Sequence, residues 1–347
     1  MNPEIVEQLK AYDGRPLRIM EVCGTHTHEI FRQGIRSLLP EKIRLISGPG
    51  CPVCVTPVGY IDQAVALARR GVVICTFGDL IRVPGSEASL ADARKEGAVI
   101  KMVYSPLDAL EFAKANPDQD VVFLSVGFET TTPASCMAVR NAKNEAVRNF
   151  SILTANKTMD QAYYALRDSA DAFLYPGHVS AITGTAIYRQ LCADGISGVI
   201  TGFTGPEIIT ALTVITKKCA EGKPFFVNAY PRVVTDEGSR PGRKLIHEIM
   251  EPIDSEWRGL GVIPRSGLAL RSEYADFDAR KKYNLENISG HANPACRCGD
   301  VLKGDCTPFD CPLFDRVCTP EHPVGACMVS NEGACSAFYT YGKEAQE

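Results

Sequence analysis

The sequence predicts an α/β fold: two similar parallel-sheet α/β domains that face a cleft, followed by an irregular α+β domain at the C-terminal end. Three observations support this class. Apolar runs alternate with amphipathic stretches over the first two-thirds of the 347 residues. Similar motifs recur in two halves of that part. Seven of the fourteen cysteines then lie between Cys296 and Cys335, where the alternation has faded.

The predicted strands are short apolar runs rich in β-branched residues, and the predicted helices are the amphipathic stretches between them. We predict strands at 17–22, 43–47, 72–76, 98–104, 121–126, 151–154, 172–175 and 198–201. We predict helices at 61–70, 107–115, 138–149, 162–170 and 206–220, and a further helix at 244–252. Such alternation implies parallel strands with helices on both faces of each sheet.

Matching motifs divide the alternating part into two units. Gly78 follows Cys51 by 27 residues, and Gly205 follows His178 by the same interval of 27. The pattern indicates either an old duplication or two units of one common fold. In both cases the strand ends of two sheets face each other across a cleft. The predicted domains cover residues 1–116, 117–228 and 229–347.

Composition and charge exclude several classes of protein. The net charge is −4, which does not favour binding to nucleic acid or to an anionic membrane. No apolar run approaches the roughly 18–20 residues of a membrane span, and residues 1–15 lack the pattern of a signal peptide. We therefore expect a cytoplasmic protein, in which fourteen cysteines indicate metal or redox chemistry rather than a disulfide framework.

The stretch EVCGTHTHE places Cys23, His26 and His28 where a predicted strand gives way to a helix. Ligands of α/β folds bind at this rim of the sheet. The motif fits a metal site, a nucleophilic thiol or a simple helix start. Because His26 and His28 are two residues apart, they cannot share one helix face. We expect one to point to the cleft and the other to support the turn.

A second thiol motif, Cys51-Pro-Val-Cys54, follows the next predicted strand. A CxxC motif is either a dithiol/disulfide couple or half of a zinc site, and the sequence has no second CxxC to complete a zinc ribbon. Backbone N–H groups at the following helix start are expected to lower the thiolate pKa. Glu129 in GFETTTP and His178 in YPGHVSAI occupy two later strand ends, although Glu129 also fits an ordinary helix cap.

The C-terminal cysteines are loosely spaced and interrupted by proline and glycine. Such spacing is typical of an iron–sulfur cluster held by an irregular loop, whereas zinc prefers compact pairs. One subset reads C-x14-C-x6-C-x16-C, but spacing alone does not select it. That subset comprises Cys296, Cys311, Cys318 and Cys335. The remaining cysteines, from which a second thiol pair can be drawn, are Cys298, Cys306 and Cys327.

Taken together, these motifs resemble the HypD family of hydrogenase maturation proteins. The shared stretches are CGTHTH, GPGCPVCVTP, GFETTTP, PGHVSAI and the terminal CRCGDVL…CPLF…CTPEHPVGACMVSNEGACSAFYTY. The resemblance extends over residues 15–342. It implies two α/β domains flanking a cleft and a C-terminal domain with a [4Fe-4S] cluster. The implied cluster ligands are Cys296, Cys311, Cys318 and Cys335.

The resemblance also implies an assembly scaffold rather than a conventional enzyme. With a small partner, HypC, such a protein carries the iron on which the Fe(CN)2CO group of [NiFe] hydrogenases is built. A third factor, HypE, delivers cyanide from a thiocyanate on its own C-terminal cysteine. Whether this chain is an enzyme in the usual sense stays open.

Within that function we predict a role for each motif. Cys23 is the expected thiolate ligand of the iron, which is soft when it carries cyanide and CO. His26 assists deprotonation of Cys23 or holds a ligand in place. Moving cyanide from sulfur to iron formally requires two electrons, which a dithiol at Cys51 and Cys54 can supply.

The remaining predicted residues serve proton and electron transfer. Cys298 and Cys327 are the candidate redox pair beside the cluster. His178 and Glu129 line the cleft as proton donors or cyanide-binding groups. Glu332 lies near the cluster or on the electron path, unless it is only a solvated loop carboxylate.

Two rival functions also use cysteines. The stronger is a cluster-dependent thiol–disulfide reductase resembling ferredoxin:thioredoxin reductase, which would not need the third thiol flanked by histidines at Cys23. The other is a structural zinc protein. A radical enzyme that uses S-adenosylmethionine is disfavoured because the sequence has no C-x3-C-x2-C motif.

Overall fold

The computed structural model describes residues 3–286 and 288–342. The strands are β1 (Leu17–Glu21), β2 (Ile43–Ser47), β3 (Val73–Thr76), β4 (Ile100–Met102), β5 (Val121–Gly127), β6 (Phe150–Asn156), β7 (Ala172–Pro176), β8 (Gly198–Thr201), β9 (Phe226–Asn228), β10 (Met250–Trp257) and β11 (Gly261–Leu270). The α-helices are α1 (Pro3–Lys10), α2 (Gly24–Arg32), α3 (Val58–Arg69), α4 (Leu90–Lys95), α5 (Pro106–Ala115), α6 (Thr132–Asn144), α7 (Met159–Ala165), α8 (Gly177–Thr183), α9 (Ala186–Ala193), α10 (Gly205–Ala220), α11 (Arg240–Ile249), α12 (Ala279–Lys282), α13 (Cys298–Lys303), α14 (Ala326–Val329) and α15 (Ala334–Tyr341).

Two parallel sheets confirm the predicted α/β class. The first sheet has the order β2-β1-β7-β8-β9 and the second the order β4-β3-β5-β6, and every pairing in both is parallel. Each of the eight predicted strands overlaps one of β1–β8. β5 is buried along its whole length, as expected for a central parallel strand covered on both faces.

Helices cover both faces of the sheets. In β1, Ile19 packs with Leu212 of α10, whereas its neighbour Met20 belongs to the core on the opposite face. This division follows from the alternation of side chains along a strand. In the second sheet, Val122 packs with Ile61 of α3, and Phe123 contributes to the core on the other face.

Strands of the two sheets are interleaved along the chain. The first sheet takes β1 and β2 from the range 1–116 and β7–β9 from the range 117–228. The second sheet crosses residue 116, because β4 lies before it and β5 after it. The predicted sequence ranges therefore do not coincide with the sheets. Each βαβ crossover is locally similar, so the strand pattern does not specify which sheet a strand joins.

An antiparallel hairpin, β10–β11, was not predicted. Only Met250 and Trp257 of β10 are fully buried, so the strand shows no alternating apolar pattern. The predicted helix at 244–252 is real but ends earlier, because α11 stops at Ile249 and Pro252 lies in β10. The hairpin docks on the end of β6 through a bridge between Lys157 and Gly267.

The C-terminal region contacts both sheets. The Arg44 side chain of β2 donates to the carbonyl of Gly304 at 2.8 Å, and Arg82 donates to the carbonyl of Pro320 at 2.9 Å. Six of its seven cysteines, all except Cys306, belong to or pack against the same core as Cys51 and Cys54. In the part of the chain that the structure describes, no helix is long and apolar enough to cross a membrane.

Candidate thiol site at the strand ends

Cys23 lies at the carboxyl end of β1 and directly precedes α2, as predicted. Its side chain is half-buried. Burial raises the pKa of the Cys23 thiol to about 12, although the backbone N–H groups of His26 and Thr25 donate to the sulfur and oppose this increase. The free thiol is therefore protonated at neutral pH, and a bound cation would have to displace the proton.

The ring of Phe203 stacks with two imidazoles. Its centroid lies 4.8 Å from that of the His26 ring and 3.9 Å from that of the His178 ring. The structure therefore brings together two histidines that are far apart in the sequence. His178 is exposed at this rim, and the partial burial of its ring lowers its pKa.

His26 is fully buried and electrically neutral. Its Nε2 lies 2.9 Å from the carbonyl oxygen of Gly202, so this nitrogen carries the proton and donates it. Burial lowers the pKa of His26 to about 4. Its Nδ1 has no hydrogen-bond partner among residues 3–286 and 288–342. His28 points elsewhere, to the edge of Tyr341 in α15, so the two histidines do not share one environment.

The loop before Cys51 is packed against the Cys23 backbone. A side-chain carbon on Gly50 would overlap the backbone of Cys23, so only glycine permits this approach. The N–H of Gly24 also donates to the carbonyl of Gly50 at 3.3 Å. Both Cys51 and Cys54 are buried. The first and second thiol motifs therefore meet at neighbouring strand ends of the first sheet.

The predicted lowering of the thiolate pKa at the CxxC motif is wrong for Cys54. α3 begins only at Val58, so helix N–H groups do not reach this sulfur. Instead the thiols of Cys327 and Cys51 lie within hydrogen-bonding reach of the Cys54 sulfur, and these contacts, together with burial, raise the pKa of Cys54 well above the usual value.

Six buried or half-buried sulfurs form a group that we call the thiol cluster. Its members are Cys54, Cys296, Cys298, Cys318, Cys327 and Cys335. Cys327 lies at its centre: the thiols of Cys298, Cys335 and Cys54 are hydrogen-bonded to its sulfur and lower its pKa. The sulfurs of Cys296 and Cys298 are 3.3 Å apart. The CxxC motif and the C-terminal cysteines are thus in direct contact.

The backbone around Gly325 forms a cradle for these sulfurs. A side-chain carbon at position 325 would lie 2.5 Å from the Cys298 sulfur and 2.8 Å from that of Cys296. The N–H of Val324 donates to the Cys318 sulfur at 3.3 Å. Backbone N–H donors of this kind stabilise thiolates and are common around iron–sulfur clusters.

The donor set fits an iron–sulfur cluster. Of the predicted ligands, Cys296, Cys318 and Cys335 belong to the thiol cluster, and Cys311 packs at its edge with its sulfur 4.0 Å from the carbonyl of Ala295. No three Cys, His, Asp or Glu side chains of the described residues converge as ligands of one metal ion. Cysteine ligands of a four-iron cluster bind different iron atoms, so they need not converge in that way.

Glu129 does not join Cys23 but borders a separate cavity of about 350 Å3, together with Thr183 and Arg243. Its Oε1 accepts from the N–H of Met159 at 2.9 Å, and its Oε2 is buried without a partner in the described part of the chain. Burial raises the pKa of Glu129 to about 7. Glu129 and Cys23 were assigned to one cleft from the sequence because both residues follow strands.

Glu332 lies beside Cys23, where the thiol site meets the loop before Cys335. Thr25 donates to its Oε1 at 3.2 Å. Partial burial raises the pKa of this carboxyl group. Glu332 is exposed, but its hydrogen bond to Thr25 ties the carboxylate to the turn that follows Cys23.

Two residues of the site were missed by the sequence analysis. Phe203 follows β8 and occupies the same kind of strand end as Cys23 and His178, so the strand-end rule could have found it. Arg258, whose side chain lies next to the thiol cluster, follows the unpredicted strand β10, and no sequence pattern indicated it.

Comparisons with known proteins agree with these motifs. Residues 2–342 match a family model described as HypD, hydrogenase formation hypA family. The chain belongs to the HypD family. It is 44% identical to the hydrogenase maturation factor HypD of Azotobacter vinelandii over 345 residues, which cover 96% of this chain and 91% of that protein.

Other HypD proteins are similar to the same degree. The hydrogenase maturation factor HypD of Escherichia coli strain K12 is 43% identical, with 96% of this chain and 91% of that protein covered. The HypD of Cupriavidus necator is 42% identical, with 96% and 92% covered. The resemblance inferred from the motifs is thereby confirmed, and it extends over nearly the whole chain.

Proposed function

We propose that this chain is a maturation factor on which the Fe(CN)2CO group of [NiFe] hydrogenases is assembled, together with a HypC-type partner and a HypE-type cyanide donor. One observation carries the proposal: Cys23 stands at a strand end where the CxxC loop and the loop before Cys335 both pack against its neighbours. This packing supports the proposal because it brings the candidate iron ligand near both groups of thiols that would deliver electrons.

In this proposal Cys23 binds the iron as a thiolate, and a cysteine of the HypC-type partner supplies another ligand. The Nδ1 of His26 is a free acceptor; with a pKa of about 4 the ring is too weak a base to hold the Cys23 proton, so of the two predicted roles it fits that of holding a ligand in place. His178 faces the same rim and can hold or protonate a diatomic ligand. Glu129 is a more remote proton store. It interacts electrostatically with Tyr188. The Tyr188 hydroxyl in turn lies 2.8 Å from the hydroxyl of Ser180, which belongs to the same helix as His178.

Cyanide transfer from a thiocyanate needs two electrons. The S–C bond of the donor breaks, a C–Fe bond forms, and the donor sulfur leaves as a thiolate. Oxidation of Cys51 and Cys54 to a disulfide supplies the two electrons and releases two protons. Both cysteines are buried, which protects the dithiol from unwanted oxidation until the partner is bound.

The contact between Cys327 and Cys54 supports a route for restoring that dithiol. A thiolate at Cys327 attacks Cys54, forming a mixed disulfide and releasing Cys51. Cys298 then attacks Cys327, releasing Cys54. The net result is a reduced Cys51–Cys54 pair and a Cys298–Cys327 disulfide. Electrons and sulfur–sulfur bonds balance without a further reactant.

The cofactor of the C-terminal region would be held by Cys296, Cys311, Cys318 and Cys335, as the family resemblance implies. When bound, a [4Fe-4S] cluster supplies electrons one at a time. The chain's contribution is to keep Cys298 and Cys327 against those ligands and to shield the whole group from water. We expect Cys318→Ala to lose the broad absorbance near 400 nm, while Cys306→Ala retains it; four irons in Cys318→Ala would refute the ligand set.

The decisive experiment is infrared spectroscopy of the anaerobically purified complex with the small partner, combined with metal analysis. Wild-type complex should show CO and cyanide bands and more iron than the cluster accounts for. Cys23→Ala should lose the bands and the extra iron but keep the cluster. The control is Cys75→Ala, at a buried thiol in β3. Unchanged bands in Cys23→Ala would remove Cys23 from its role.

A cluster-dependent thiol–disulfide reductase is the second candidate. The contact between Cys54 and Cys327 favours it, because it provides the thiol chain that such an enzyme uses. Turnover of a small disulfide with an artificial electron donor, unaffected by Cys23→Ala, would support this alternative over the assembly function.

A further inference from the structure

We propose that Arg258 is the counter-cation of the thiol cluster: its buried guanidinium stabilises the negative charge that arrives with electrons and thereby raises the reduction potential of the site. The inference rests on the proposed function, because it assigns a positioning residue to the electron path of that same site. It is argued from three independent observations: the hydrogen bonds of Arg258, the packing of its neighbour Gly259, and the lack of a carboxylate partner.

First, Arg258 is fixed to the CxxC loop. Its backbone N–H donates to the carbonyl of Val55 at 2.9 Å, and its side-chain Nε donates to the carbonyl of Thr56 at 2.7 Å. Val55 and Thr56 directly follow Cys54. A third bond, from Nη2 to the carbonyl of Pro84 at 3.4 Å, holds the outer end of the guanidinium. These hydrogen bonds therefore hold the positive charge of the guanidinium in one position relative to Cys54.

Second, the chain at Arg258 is in contact with the C-terminal cysteines. Gly259 has a φ of +80°, and a side-chain carbon on it would overlap the backbone of Gly299. Gly299 directly follows Cys298. This glycine-to-glycine contact brings Arg258 to the C-terminal side of the thiol cluster. The residue is thus joined by its backbone to both halves of the cluster.

Third, the charge of Arg258 has no carboxylate partner. The side chain is 9% exposed, yet no Asp or Glu forms an ion pair with it in residues 3–286 and 288–342. Its electrostatic partners are Cys298, Cys327, Cys296 and Cys54. A buried cation without a counter-ion is costly, so a fold retains it where negative charge appears during function.

Reduction creates such charge. Each electron that a low-potential one-electron reductant adds to the loaded site introduces one negative charge beside the guanidinium. Thiolates at Cys54 and Cys327 carry the same sign during exchange. Attraction between opposite charges favours the reduced state, and the buried surroundings screen it less than water would. Loss of the positive charge should therefore make the site harder to reduce.

The test separates charge from hydrogen bonding at position 258. Arg258→Lys keeps the charge, Arg258→Gln keeps a donor for Thr56 without the charge, and Arg258→Met is a second neutral variant. The midpoint potential of the loaded protein is measured by dye-mediated titration with dithionite. We expect about a tenfold loss in the one-electron equilibrium constant for Gln and Met, which is about 59 mV, and less than a threefold loss for Lys.

A second readout needs no cofactor. In the cluster-free chain, the fraction of Cys51–Cys54 disulfide is measured by mass spectrometry across a series of thiol redox buffers. Because the reduced pair is a neutral dithiol, its charge does not change on oxidation, so the disulfide fraction should be the same in wild type and all three Arg258 variants; a shift here would mean that the substitution distorts the CxxC loop. Arg280→Gln is the matched control, since Arg280 bonds to Thr154 and does not interact with the thiols. It should leave both potentials unchanged.

The outcomes distinguish this inference from the proposed function. If wild type binds no cluster and forms no Cys51–Cys54 disulfide, the proposed function fails. If wild type does both and the neutral variants match it in potential, Arg258 is only a structural tether and the inference is overturned. Equal shifts in Arg258→Lys and Arg258→Gln would also overturn it, because hydrogen bonding rather than charge would then be responsible.

Discussion

Gly24 lies directly against Glu332: a side-chain carbon at position 24 would overlap the Cβ of Glu332 and lie 2.8 Å from its carbonyl oxygen. The residue after Cys23 is thereby in contact with the loop that leads to Cys335. Thr25 adds a side-chain hydrogen bond to the same glutamate at 3.2 Å. Cys23 and the C-terminal cysteines are therefore coupled by packing.

This contact predicts that Gly24→Ala damages both sites. The added methyl group meets backbone atoms of Glu332 that cannot move without displacing the loop before Cys335. We expect a loss of about 1–3 kcal/mol in the free energy of unfolding, measured with urea, and reduced iron content. Gly205→Ala is the control, because its added carbon would meet only the flexible Gln33 side chain at 3.3 Å. Equal stability of both variants would contradict the proposed coupling.

The central position of Cys327 predicts a cross-link that can be trapped. In Cys51→Ser, the sulfur that would resolve a mixed disulfide is missing, so mild oxidation should join Cys54 to Cys327. Mass spectrometry of the alkylated, digested protein detects the linked peptides. The link should be absent from Cys51→Ser/Cys327→Ser and unaffected by Cys136→Ser, which alters a buried thiol in α6. A dominant link from Cys54 to any other cysteine would rule out the proposed exchange route.

Much of the fold was predictable because strand and helix patterns are local. The eight predicted strands follow from apolar runs, and the positions of Cys23, Cys51 and His178 after strands follow from the same pattern, which made them candidates because ligand sites of α/β folds lie at strand ends. The grouping of β7 with β1 depends on crossovers and has no local signal. The strand-end rule also could not separate Glu129 from Cys23, and it did not indicate Arg258, whose position follows from the hairpin.

The buried carboxyl group of Glu129 predicts a pH-dependent stability. Its pKa is raised from 4.5 to about 7 in the folded chain, so folding is favoured while the folded carboxyl group stays protonated. This contribution is full below pH 4.5 and is lost as the pH rises through about 7. At one pKa unit per 1.36 kcal/mol, it is on the order of 3 kcal/mol.

Glu129→Gln isolates this effect, since the amide keeps an acceptor for the N–H of Met159 and does not titrate. Urea unfolding of both proteins at several pH values between 5 and 8.5 gives the difference in their unfolding free energies. We expect wild type to lose stability relative to Glu129→Gln as the pH rises. A constant difference over this range would show that Glu129 is ionised throughout in the folded protein.

The stacked position of Phe203 predicts how the protonation of His26 responds to its removal. The ring stacks with both His26 and His178 and helps to exclude water from His26, whose pKa is lowered by burial to about 4. In Phe203→Ala, water can reach the imidazole, so its pKa should rise towards the ordinary 6.5. NMR titration of the imidazole protons measures the shift.

Phe203→Leu, which keeps most of the apolar volume, should leave the pKa of His26 closer to 4. Because Phe203 is only half-buried, the stability cost of Phe203→Ala should be smaller than the roughly 3–5 kcal/mol of a fully buried ring. A pKa that does not move in Phe203→Ala would mean that the hydrogen bond to Gly202 and the surrounding core, rather than the aromatic ring, keep His26 neutral.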